Sequence, residues 1–163
     1  TYNGKVQKPK VTVKDSKGNT LTAGKHYTVS YSGGCKNVGR YSVKLTLRGA
    51  YKGAKTYTFT IVPKGTTVSK LQGGKKSLTV KWKAQKTQTT GYQVQYSTAK
   101  NFTKNTTKWI NVGNNKSTAK TVKKLKAKKK YYVRIRTYKK VKTQKGYVTI
   151  YSSWSKVKTV KTK

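Results

Sequence analysis

The sequence predicts an all-β protein, and three observations support that reading. Apolar and aromatic residues alternate with polar ones over many short segments, and clusters of Gly, Pro, Asn and Ser separate the segments. Thirteen Tyr and three Trp join abundant Thr as strand formers. No stretch carries convincing helical spacing. Scarce Leu, Ile, Val and Phe beside a formal net charge of +39 would by composition alone suggest disorder. The order of the residues overrides that warning.

Element by element, the alternation begins with Val11 and Val13. It continues with Tyr27, Val29 and Tyr31, then Tyr41, Val43, Leu45 and Leu47, then Tyr57, Phe59 and Ile61. Asp15-Ser16-Lys17-Gly18-Asn19, Ser32-Gly33-Gly34, Gly49 and Gly53 supply the reversals. Val62-Pro63-Lys64-Gly65-Thr66 ends this series, which divides the chain into two small β domains in tandem, 1–64 and 65–163. The second series places strands at Val68 and Leu71, Leu78 to Trp82, Tyr92 to Tyr96, and Trp109 to Val112. It goes on with Val122 and Leu125, Val133 and Ile135, and Val157 to Val160. About seven strands is the count of an immunoglobulin-like sandwich. Val157 and Val160 have opposite parity, so the last strand is expected to carry a bulge or an outward valine. The first segment is of a size at which apolar burial is marginal, so packing against a neighbour or further repeats is expected to matter.

The charge balance removes most enzyme chemistry: 40 Lys and Arg face a single acid, Asp15. Paired-carboxylate hydrolysis, Ca²⁺ or Mg²⁺ sites and two-metal phosphoryl transfer all need acids this chain lacks. Cys35, His26 and Asp15 are the whole inventory of softer ligands and resemble no zinc motif. A triad drawn from His26, Asp15 and a serine lacks a nucleophile elbow. No catalytic, cofactor-binding or metal residue is therefore assigned, and the chain is expected not to be an enzyme. Cys35, between Gly34 and Lys36, reads as a surface thiol whose basic surroundings favour the thiolate. A chain that opens at Thr1 and holds no long apolar run shows neither signal peptide nor membrane span, and is expected to be part of something longer.

Within 65–163, LTVKWKA with Trp82, GYQVQYS with Tyr92, LKAKKKYYVRIRTY and the closing YSSWSKVKTV resemble successive strands of a fibronectin type III domain. The resemblance implies a tyrosine corner made by Leu125 and Tyr131, with the Tyr131 hydroxyl bonded back to the chain and Val133 and Ile135 facing the core. Ala127 stands where the family often has Pro. Within 1–64, TYNGK, LTAGKHYTVSYS, NVGRYSVKLTLRGAYKG and YTFTIVPKG resemble a bacterial immunoglobulin-like or mucin-binding-type repeat. His26 occupies a position where such repeats usually have Asp, which is expected to cost a loop contact. Together the resemblances imply a Gram-positive surface protein, hence an extracellular, cell-surface or cell-wall location.

Forty cations beside one anion cannot be neutralised internally, which points to polyanions as partners. On the fibronectin-type topology, Tyr132, Arg134 and Arg136 share the strand face opposite Val133 and Ile135, beside Gln93 and Gln95, and form a candidate anion platform. Lys123, Lys124, Lys128, Lys129 and Lys130 flank the corner turn, and Lys139, Lys140 and Lys142 crowd the next hairpin, giving two expected basic loops. Lysine outnumbers arginine 36 to 4, which favours diffuse attraction over base reading. The resulting expectation is a non-enzymatic adhesion or stalk module binding teichoic acid, mucin glycans or extracellular DNA by charge. Three rivals stand beside it: a non-specific nucleic-acid binder, a filament subunit with an acidic protein partner, and an engineered supercharged scaffold.

Overall fold

A computed structural model describes residues 1–163. The chain divides into two units, Tyr2–Ile61 and Val62–Lys163 with Thr1, and no helix is long and apolar enough to cross a membrane.

In Tyr2–Ile61, three of the alternating runs become an antiparallel meander of β1 (Tyr27–Tyr31), β2 (Gly39–Leu47) and β3 (Ala54–Ile61). Its register sets Val43 between Tyr31 and Tyr57. Val43, Tyr27 and Ile61 are buried with Leu21 and Val38 in a small core. Val11 and Val13 form no strand of their own. Pro9 on one side and the Asp15–Asn19 turn on the other leave too short a run for a ladder. Single bonds tie the run down instead: Leu21 N–H donates to Val13 O at 2.8 Å and the Tyr27 hydroxyl to Val11 O at 3.2 Å. Cys35 is not a surface thiol but fully buried, at 0% exposure. Its backbone adopts a left-handed φ of 49°, which turns the side chain inward so that Sγ donates to Ser32 O at 3.4 Å. His26 keeps the loop contact it was expected to lose, because its Nδ1 accepts the Thr22 amide at 3.0 Å.

Val62–Lys163 is a sandwich of two sheets. The smaller holds β4 (Val68–Gly74), β5 (Ser77–Trp82) and β8 (Ala119–Val122) in the order β4-β5-β8. The larger holds β6 (Gly91–Ser97), β7 (Thr107–Val112), β9 (Lys130–Thr143), β10 (Gly146–Tyr151) and β11 (Lys158–Lys161), ordered β10-β9-β6-β7 with β11 also on β9. A register shift between Val68 and Lys70 lets Val68 and Leu71 both reach the core despite their opposite parity. Trp82, Leu78, Val80 and Val122 of one sheet meet Tyr92, Val94, Tyr96, Val133 and Ile135 of the other. Each such fully buried side chain contributes about 1.5–3 kcal/mol. Gly91 is required where it stands, because a Cβ there would lie 2.1 Å from Val112 O.

The expected last strand is present as β11, but it is preceded by β10, a strand the expected seven lack; β10 pairs the far half of β9 and β11 the near half. Between them the chain leaves the sheet, and two serine hydroxyls replace the missing backbone acceptors. Thr137 N–H donates to Ser152 Oγ at 3.1 Å and Ile135 N–H to Ser155 Oγ at 3.0 Å. Val157 lies in this excursion and is 42% exposed, whereas Val160 on β11 packs against the core. That resolves the parity conflict. Lys139, Lys140 and Lys142 are corrected from loop to strand, since they pair with Ile150, Thr149 and Tyr147 across the β9–β10 hairpin.

Candidate functional site

Strand β9 carries most of the residues singled out by charge, and its geometry sorts them into three places. At roughly 3.3 Å per residue, Lys139 stands about 30 Å along the strand from Lys130. The corner lysines and the hairpin lysines therefore occupy opposite ends of the sandwich, and Tyr132, Arg134 and Arg136 lie between.

The middle group is the most ordered. Val133 and Ile135 point into the core at 0% exposure, so strand alternation puts Tyr132, Arg134 and Arg136 on the outer face. The register sets Arg134 opposite Gln95 and Arg136 opposite Gln93. Arg134 Nε donates to Gln95 Oε1 at 2.7 Å, and Arg136 donates through Nε and a terminal nitrogen to Gln93 Oε1 at 2.9 and 2.6 Å. Gln93 passes the bond on, donating to Asn111 Oδ1 at 3.0 Å. The serine-bridged excursion drops Trp154 between the two guanidinium groups, 4.6 Å from that of Arg134 and 4.2 Å from that of Arg136. Phe102 closes the stack on the Arg134 side at 4.1 Å and Tyr151 on the Arg136 side at 3.7 Å.

The result is a five-layer ladder, Phe102–Arg134–Trp154–Arg136–Tyr151, in which rings and amides stabilise two cations without any carboxylate. Burial lowers the pKa of Arg134. Burial also lowers that of Arg136, with Tyr151 opposing the fall and Arg134 adding to it. Both arginines therefore have faces and one edge engaged, and only the remaining guanidinium edge is open to a ligand. Alternation identified the arginines; the rings were missed, since Phe102 and Trp154 come from a turn and a strand break with no periodic signal. Tyr132 stands apart from the stack, under the Lys130 ammonium at 5.4 Å.

The corner is held from three sides. Lys126 N–H donates to the Tyr131 hydroxyl at 3.2 Å, which makes the tyrosine corner, and Leu125 N–H donates to Lys76 O at 2.9 Å. Buried Thr162 bridges the turn, with Oγ1 donating to Lys126 O at 2.6 Å and accepting from Lys129 N–H at 3.0 Å. Lys124 and Lys128 take left-handed φ values of 59° and 51°, which bend the segment sharply. Lys123, Lys124, Lys128, Lys129 and Lys130 are all exposed around this pinned backbone. No group of three or more His, Cys, Asp or Glu side chains comes together anywhere in the protein.

The model of the fibronectin type III domain matches residues 61–150, more than half of the sequence. The chain belongs to the fibronectin type III family. Its matched part is a generic adhesion or structural module, and the Trp154 segment and β11 lie beyond the matched residues. Among solved structures the chain is similar to the FN1-FN3 domains of chicken CNTN1, at 19% identity and a TM-score of 0.49, covering 77% of this chain and 43% of that one. It is also similar to a beta-1,2-glucanase from Parabacteroides distasonis, at 16% identity and a TM-score of 0.45, covering 75% of this chain and 18% of that one. The chain thus spans less than half the length of either. No curated protein matches it.

Proposed function

We propose that this chain is a non-enzymatic adhesion or stalk segment of a bacterial surface protein, an immunoglobulin-like or mucin-binding-type repeat followed by the fibronectin type III domain. It holds anionic polymers of the cell wall or of host glycans by charge. One observation carries the reading: the fibronectin type III domain has no Asp or Glu at all among its many lysines. Its ammonium groups have no side-chain counter-ion within the domain, so their charge is available to an external polyanion. The basic residues are spread along both ends of β9, which suits an extended polymer that can reach both.

The test is retention of the intact chain on immobilised teichoic acid, sulfated mucin glycan and duplex DNA across a salt gradient. Retention at about 50 mM salt, with affinity falling steeply and linearly on a log–log plot, is the expected result. Passage without retention at low salt, or retention insensitive to salt, overturns the reading.

A further inference from the structure

A pocket of about 390 Å³ opens at the corner end of the fibronectin type III domain, between the β6–β7 connection and the β8–β9 corner. Lys108, Lys124, Lys126 and Lys129 line it, together with Tyr96, Asn105 and other polar groups. We propose that it binds a sulfate or phosphate monoester carried on a sugar or polyol. This rests on the charge-based reading above and gives that reading a discrete site.

Four observations lead there. The volume falls within the range of small-ligand sites, about 300–1,000 Å³. The four lysines belong to a domain without a carboxylate side chain, and none of their ammonium groups has a partner in the protein. The backbone carrying three of them is fixed by Tyr131, Thr162 and Lys76, so little order has to be gained on binding. The fourth observation is Tyr96. Most of the residue is buried, but its hydroxyl makes no hydrogen bond within the protein and is not among the buried unpartnered atoms, so it is accessible where Tyr96 lines the pocket. Burial, and then the neighbouring Tyr131, raise its pKa, so at neutral pH it keeps its proton and can donate it to an oxyanion. Asn105 and Thr98 offer an amide and a hydroxyl to a polyol. A nucleobase finds no platform here, because Tyr96 and Tyr131 both have their ring faces buried in the core.

The experiment is calorimetric titration of the intact chain with glucose 6-sulfate and with glycerol 3-phosphate, glucose serving as the neutral control. One-to-one binding of at least one monoester and none of glucose is expected, the two arms separating a sulfated-sugar source from a polyol phosphate. Tyr96→Phe alters no charge and removes one donor to an anion. It is expected to weaken binding about tenfold while leaving retention on the polymers unchanged. Lys124→Gln with Lys129→Gln is expected to weaken the monoester more than tenfold. Lys139→Gln with Lys140→Gln, an equal loss of charge at the far end of β9, is expected to change it less than twofold.

Equal losses in the two lysine pairs overturn the pocket, as does unchanged affinity in Tyr96→Phe or displacement of the monoester by a single-stranded oligonucleotide with the same sensitivity to these variants. Absent monoester binding with polymer retention intact overturns the pocket alone. Absent polymer retention overturns the reading on which it rests.

Discussion

Removing the central ring of the ladder tests whether aromatic stacking holds the arginine face together. In Trp154→Ala both guanidinium groups lose the ring between them, contacts now at 4.6 and 4.2 Å. Cation–π contacts contribute about 0.5–1 kcal/mol at exposed sites and about 2 when desolvated; with Trp154 half-buried, the two together amount to about 2 kcal/mol. The apolar area the ring covers adds about another 1 kcal/mol. The expected destabilisation is about 2–3 kcal/mol, read as a fall of about 1–2 M in the urea midpoint followed by far-UV circular dichroism. Trp154→Phe retains a ring and is expected to lose about 1 kcal/mol or less. A double-mutant cycle of Trp154→Ala with Arg136→Gln is expected to return a coupling of about 1 kcal/mol. Trp154→Ala within 0.5 kcal/mol of the parent, in the sense of an ordinary surface change of about that size, or equal losses for Ala and Phe, would refute the stacking argument.

Three further outcomes follow from the same structure. Tyr131→Phe strands the Lys126 amide that now donates to it at 3.2 Å and is expected to cost about 1–2 kcal/mol in chemical denaturation; no change would mean that water replaces the corner bond. Gly91→Ala drives a Cβ against Val112 O and is expected to destabilise by about 2–3 kcal/mol, with a drop in soluble yield as a second readout. Burial raises the pKa values of Tyr92, Tyr96 and Tyr138, with Tyr131 adding to the shift at Tyr96 and Tyr151 at Tyr138. A raised phenol pKa contributes stability that is fully present below about pH 10, the unfolded value, and is lost as the pH rises through the folded values. Absorbance titration at 295 nm should therefore show a late-ionising group among the thirteen tyrosines, whereas a single step near the ordinary value would contradict the burial.

The sandwich was legible because its core strands alternate cleanly. Leu78, Val80 and Trp82 read as one face of a strand, as do Val133 and Ile135, and all five are buried. The tyrosine corner was legible through Leu125 and Tyr131. What stayed hidden has physical reasons. Strand β10 is masked because lysines dilute the alternation on its partner, although Val141 meets Val148 across the hairpin. Cys35 looked exposed because its glycine neighbours signal a turn, and only the left-handed backbone turns it inward. The ladder was half legible: period-two spacing placed Arg134 and Arg136 on one face, but the rings that cover them arrive from 32 residues before Arg134 and 18 after Arg136. No local pattern records such a meeting.

Holding arginines with rings and amides has a consequence for behaviour in acid. An arginine paired with a carboxylate is released when that carboxylate takes up a proton, which is the usual route by which proteins unfold at low pH. The fibronectin type III domain contains no Asp, Glu or His, so between about pH 2 and 8 none of its side chains changes charge. The one acid of the chain, Asp15, lies in the other unit, and its pKa is lowered chiefly by Asn19. Its contribution is present above the ordinary carboxylate value and fades only as the pH falls through the lowered one. Within the fibronectin type III domain, stability and surface charge are therefore set almost independently of acidity across that range, and acid offers no ion pair there whose loss would start unfolding.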